Sequence, residues 1–169
     1  MWERQRPRTD ESMSTGTTQR TANDEAVELW GRVINGFTVT NRKIHQVIHD
    51  EFSLTEAEAQ VLLNLHRHPG QRAPMARLAR ATSFSTGGFT KLADKLAKRG
   101  LVVRAACPDD RRVTFLEYTE EGRKLADDLS HLVARTNHEA FIDVLGEERA
   151  KLLAGAMTEL YRANAPSGD

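Results

Sequence analysis

The stretch from Arg72 to Thr119 constrains the chain most, and the run from Ser85 to Gly100 is its centre. That run reads as one amphipathic helix with its own start and stop. Ser85 is a good N-cap, because its hydroxyl can accept from the orphan N–H groups of the first turn. Phe89, Leu92, Ala93 and Leu96 recur at i, i+3, i+4 and i+7 and form a single apolar stripe. Thr86, Thr90, Lys91, Lys95 and Lys98 fall mostly on other faces. Gly100 can take the left-handed position that ends a helix, with Leu101 folding back on the last turn. A helix buried on one side and carrying hydroxyls and ammonium groups elsewhere suits the major groove of DNA.

The surroundings of this helix repeat the signal. Pro74 fits the first position of a short helix whose buried face is Met75, Leu78 and Ala79. Thr82-Ser83-Phe84 is the turn, with Phe84 directed to the core, and the spacing matches a helix-turn-helix. After Gly100, Leu101–Ala106 and Val113–Tyr118 are two strand-like runs, joined by Cys107-Pro-Asp-Asp-Arg-Arg112 as a hairpin tip. A hairpin beside such a helix is a wing, and its arginines can enter a minor groove. The alternative is a solvated tip with a weak Asp110–Arg112 ion pair. Formal net charge is zero over the 169 residues, yet Arg72 to Arg112 holds ten Lys/Arg against three Asp/Glu. This asymmetry is the electrostatic footprint of phosphate binding, or else a solvated basic face.

Long apolar helices flank the basic middle. Residues 1–22 are read as a disordered tail, and 166–169 as a second tail. Residues 23–52 form a long helix on Val27, Trp30, Ile34 and Phe37, then Ile44, Val47 and Ile48, locally weakened by Thr38-Val39-Thr40. Thr55 with Glu58 has capping-box spacing before a helix that buries Val61, Leu62 and Leu65 and ends before Pro69-Gly70. Residues 120–165 carry two further helical runs separated by Gly146. The outer faces exceed what one small module buries, so a partner surface is implied, and a second copy is the economical one. A two-fold axis would set two reading helices about 34 Å apart, one DNA turn.

One compact unit of 23–165 is the expectation at this length. A single cysteine allows no intrachain disulfide, and no apolar run spans a bilayer, so a soluble, cytoplasmic chain is expected.

Read in order, the chain resembles the MarR family of bacterial winged-helix regulators over about residues 24–163. The likeness lies in Leu54-Thr55, Leu78-Ala79, Thr90-Lys-Leu-Ala-Asp-Lys-Leu96, Lys98-Arg-Gly-Leu-Val102, Asp110-Arg-Arg112 and Tyr118-Thr-Glu-Glu-Gly122. The family's wing signature, an Asp, any residue, an Arg and then a hydrophobic–Thr pair, falls on Asp110, Arg112 and Thr119. The resemblance implies a mainly α fold with a small β-hairpin wing, a DNA-binding lobe at 54–119 and dimerisation helices at 23–52 and 120–165. It implies a homodimer on a pseudo-palindromic operator in double-stranded DNA, acting as a transcriptional repressor released by a small-molecule effector. Thr86, Thr90 and Lys91 are carried over as base or phosphate contacts, Ser85 as a phosphate contact and Lys95 as a further candidate. Arg111 and Arg112 become wing contacts, with Asp110 orienting Arg112. Gly87-Gly88 departs from the family by removing two reading side chains, and Tyr118 by replacing a small aliphatic residue.

Other constellations carry weaker signals. His45 and His49 have metal-ligand spacing, but no Cys or HExxH pattern supports them, so no metal or cofactor is assigned. Cys107 beside Arg104 is read as an incidental exposed thiol, with a metal- or oxidant-responsive regulator kept as the alternative. Trp30, Phe37 and His45 are the candidates for an effector pocket, while aromatic residues at helical spacing equally suit a dimer core. No nucleophile elbow, P-loop or dinucleotide fingerprint is present, so enzyme activity is not expected. A winged-helix protein-interaction module remains the reading without DNA.

Overall fold

In the computed structural model, the backbone is described for residues 14–82, 84–108, 110 and 112–165, and side chains from residue 23 onward within those ranges. The described chain divides in sequence between Asn41 and Arg42 into two compact units. Arg111 and the tail at 166–169 lie outside the described residues.

The described residues of the first unit are helical. Helix α1 (Ser14–Phe52) begins at Ser14 rather than Asn23, and the β-branched patch Thr38-Val39-Thr40 does not interrupt it. Within the unit Val27, Trp30, Ile34 and Phe37 are exposed in the single chain, Val27 at 74% and Phe37 at 67%.

The second unit holds the core. Helix α2 (Glu56–His66) starts with the expected capping box. Thr55 Oγ1 accepts from the Glu58 N–H, and the Glu58 carboxylate accepts from the Thr55 N–H at 2.9 Å. Short helix α3 (Met75–Ala81) and helix α4 (Thr86–Lys98) follow, with the wing strands β2 (Val102–Ala106) and β3 (Thr114–Tyr118) behind them. Leu54, Leu62, Leu65, Leu78, Phe89, Leu96, Leu116 and Leu129 are all fully buried in one cluster. Four helices and a wing strand therefore share a single core, and none would bury its apolar face alone.

A third strand was not expected. Strand β1 (Arg72–Pro74) pairs antiparallel with β3, giving the order β1-β3-β2. Pro74 consequently ends an edge strand and precedes α3, instead of opening the helix. An edge position tolerates its missing N–H. Arg72 stacks over the Phe115 ring at 4.2 Å and pairs with Glu117 at 3.1 Å, which ties the short strand to its neighbour.

Tyr118, which stands where the family has a small aliphatic residue, makes a bond as well as packing in the core. It is buried, and its hydroxyl donates to the Leu62 carbonyl, so β3 is bonded to α2. Burial pushes its ionisation well above the ordinary tyrosine value.

Helix α5 (Glu120–Asn137) is capped by Thr119, whose Oγ1 accepts from the Gly122 N–H and donates to the Gly100 carbonyl at 2.6 Å. Gly122 is required here, because a Cβ would stand 1.7 Å from the Leu101 carbonyl oxygen. The helical run after Thr119 is not continuous. It passes through a π turn (His138–Ile142) into α6 (Asp143–Leu145), and Gly146 at φ +79° separates it from α7 (Glu147–Asn164). Among the described residues no helix is long and apolar enough to cross a membrane.

Candidate nucleic-acid interface

The candidate interface is built from the start of α4 and the base of the wing. Ser85 is the N-cap of α4, and its hydroxyl accepts from the Gly88 N–H at 3.2 Å. The remaining orphan N–H groups of that turn face water beside an exposed Ser85, the arrangement that favours a phosphate. Thr86 and Lys91 are exposed, and Thr90 is half-buried with its hydroxyl donating to the Thr86 carbonyl at 2.9 Å. Thr90 can still accept a hydrogen bond, but its proton is engaged. Among the described residues Lys91 has no carboxylate partner.

The far end of α4 is locked by a Schellman motif. The Leu101 N–H reaches the Leu96 carbonyl at 3.1 Å and the Gly100 N–H reaches Ala97 at 2.9 Å, with Gly100 at φ +72°. The apolar stripe is buried as expected at Phe89, Ala93 and Leu96, with Leu92 half-buried. Burial of that stripe directs the threonines outward.

From the wing, Arg112 is exposed and has no ion pair among the described residues. Asp110 does not hold its guanidinium. The Asp110 carboxylate instead accepts from the Arg112 backbone N–H at 2.9 Å, and its carbonyl accepts from the Val113 N–H at 3.0 Å. Asp110 thus shapes the turn through the backbone and not through the arginine head. Thr86, Thr90, Arg112 and Thr114 line one open cleft of about 310 Å³ between α4 and the wing. On the wing's other strand, Arg104 pairs with Asp94 at 2.8 Å and donates to the Thr90 carbonyl at 3.1 Å, bracing β2 against α4.

Lys95 stands apart from this group. Its ammonium lies 3.3 Å from Glu58, so it is engaged within the chain. Arg99 shares the same carboxylate at 3.4 Å. Neither pairing was legible from spacing along α4, because Glu58 lies 41 residues before Arg99.

The effector candidates fall in different units. Trp30 and Phe37 are exposed in the first, whereas His45 belongs to the second and sits 3.1 Å from Glu56. His49 Nδ1 lies 3.4 Å from the Leu54 carbonyl. No group of three or more His, Cys, Asp or Glu able to hold a metal occurs among the described residues. Cys107 is a half-buried free thiol beside the wing turn.

The chain is similar to known proteins in sequence and in fold. Residues 52–113 match the MarR family. The chain is 30% identical over 133 residues to the HTH-type transcriptional regulator MhqR of Bacillus subtilis, covering 76% of this chain and 86% of that one. Its fold is similar to Sco3205, a MarR family transcriptional regulator from Streptomyces coelicolor solved in complex with DNA (TM-score 0.78, 23% identity, 85% and 90% of the two chains). It is also similar to NadR in complex with 4-hydroxyphenylacetate (TM-score 0.61, 22% identity, 92% and 97% of the two chains).

Proposed function

The chain belongs to the MarR family of DNA-binding transcriptional regulators, and from that premise we propose that it acts as a homodimeric repressor released by a small aromatic ligand. The observation that carries the DNA-reading part is the cleft where Thr86 and Thr90 of α4 meet Arg112 of the wing. Ser85, Thr86, Thr90 and Lys91 contact bases or phosphates in the major groove, and Arg112 enters the adjacent minor groove. The DNA complex of Sco3205 supports this reading. The ligand of NadR supports an aromatic carboxylate as the effector class, with the exposed Trp30 and Phe37 as contacts.

Selection of bound duplex from a random pool, followed by anisotropy titration, tests the proposal. Sequence-specific binding that falls steeply with salt is expected, because Lys and Arg release counterions from phosphates. Arg112→Ala is expected to weaken operator binding by about 1–3 kcal/mol. An unchanged affinity for that variant removes the wing from the interface. A pool that yields no preferred duplex rejects the regulator's operator, and indifference of the complex to added aromatic carboxylates rejects the effector class.

A further inference from the structure

The buried carboxylate of Glu58 lies outside the reading cleft, yet three segments converge on it. Its exposure is 0%, in a position where an unpaired charge is very costly. One oxygen, Oε2, accepts from the Thr55 N–H at 2.9 Å and the Thr55 hydroxyl at 2.8 Å. The other, Oε1, receives Lys95 Nζ at 3.3 Å and Arg99 Nη1 at 3.4 Å, from successive turns of α4. Arg99 then donates onward to the Phe52 carbonyl at 3.0 Å and the Ser53 carbonyl at 3.1 Å. Those are the carbonyls where α1 ends, with Ser53 at φ +50°. A single guanidinium therefore joins the end of α1, the start of α2 and the end of α4.

The residue type is informative. A glutamine serves a capping box as well as a glutamate does. Only a carboxylate also supplies a second, charged acceptor able to hold two cations. The acid is thus needed for the link to α4, not for the cap.

We infer that Glu58 anchors the pitch of the recognition helix, and that Lys95 and Arg99 are positioning residues rather than DNA contacts. This rests on the DNA-binding reading above. The alternative, that both cations touch phosphate, predicts the opposite sign for one variant. Glu58→Gln keeps the cap, removes an opposing charge and frees two cations. If they contact DNA, binding tightens. If they position the helix, operator binding weakens while binding to unrelated duplex does not.

The test is anisotropy titration of wild type, Glu58→Gln, Arg99→Lys and Lys95→Met against the selected operator and a scrambled duplex, with melting curves for each. Glu58→Gln is expected to lower operator affinity about tenfold, a size typical of coupling networks, with scrambled-duplex affinity unchanged or raised. Arg99→Lys, which retains charge but not the fork that spans carboxylate and carbonyls, should lower the same ratio. Lys95→Met should leave the salt slope unaltered, where loss of a phosphate contact would reduce it by about one. Operator affinity unchanged or raised in Glu58→Gln overturns the inference, as does an equal loss on both duplexes, which marks simple destabilisation. Should Glu58→Gln fail to fold, the Arg99→Lys ratio and the Lys95→Met slope decide in the same way. A wild-type chain that selects no duplex defeats the proposed function instead, and leaves a distinct result from a selective wild type matched by its variants.

Discussion

Glu58 divides its work between two oxygens, and the division has a consequence for stability against acid. Burial alone would push its carboxyl up, but the hydrogen bonds from Thr55 and the nearby Lys95 ammonium hold it below the ordinary value of 4.5. A carboxyl depressed in the folded state contributes stability that is fully present above its unfolded value and is lost as pH falls through the folded one. Lowering pH from neutrality to below 4.5 is therefore expected to reduce the melting temperature of the wild type more than that of Glu58→Gln. Parallel thermal melts of the two proteins measure the difference, and parallel curves would contradict it. At this scale the capping box, the Ser85 cap and the Gly100 turn were legible because each is closed by residues three to five positions apart. The partners of Lys95 and Arg99 were not, because periodicity says which face a cation is on and nothing about the carboxylate that folds against it. Asp110 shows a related limit. Its spacing to Arg112 fits either a guanidinium pair or an Asx turn, and in the fold its carboxylate bonds the Arg112 backbone N–H.

At the scale of elements, the two glycines of α4 separate. A Cβ at Gly88 would meet Ser85 Oγ at 3.1 Å, tight against the capping hydroxyl. A Cβ at Gly87 would meet nothing within 4 Å. Gly87 is thus not needed by the fold of the single chain, although glycine costs a helix about 1 kcal/mol relative to alanine. Close approach of backbone to DNA is a reason to keep it. Gly87→Ala is expected to raise the melting temperature and to weaken operator binding, whereas Gly88→Ala should lack the stability gain. Calorimetry and titration of both variants check this; a Gly87→Ala protein that is more stable and binds normally would mean the glycine is merely tolerated. Helices α2 and α4 were readable because a cap, an apolar stripe and a stop agreed in each, and α5 was readable at its start, where Thr119 and an acidic first turn agreed. Strand β1 was not, since three residues carry no period of their own and exist as a strand only through β3. The π turn at His138–Ile142 was equally hidden, because one widened turn leaves the apolar spacing nearly unchanged.

At the scale of the whole molecule, apolar side chains remain uncovered in both units. Trp30 and Phe37 are exposed in the first, and Leu152, Leu160 and Tyr161 in the second, Leu152 at 73%. Exposure of this extent is unfavourable in water and fits the proposed self-association. Leu160→Arg is expected to convert a sedimenting dimer into a folded monomer and to abolish operator binding in the same step, since each half-site alone binds weakly. Sedimentation velocity, circular dichroism and titration on one preparation suffice. A variant that stays dimeric, or a monomer that retains full affinity, would place the subunit contact elsewhere. Pattern along the chain was enough to determine the helical framework, the helix-turn-helix and wing, and the outward residues Thr86, Lys91 and Arg112, because these follow from caps, periods and turn chemistry within a few residues. Tertiary structure alone decided that Lys95 and Arg99 share the Glu58 carboxylate, that a third strand pairs with β3, and that Tyr118 bonds β3 to α2. The physical reason is one of range: a charge or a short strand takes its role from whatever folding brings within hydrogen-bond distance, and that neighbour lies tens of residues away.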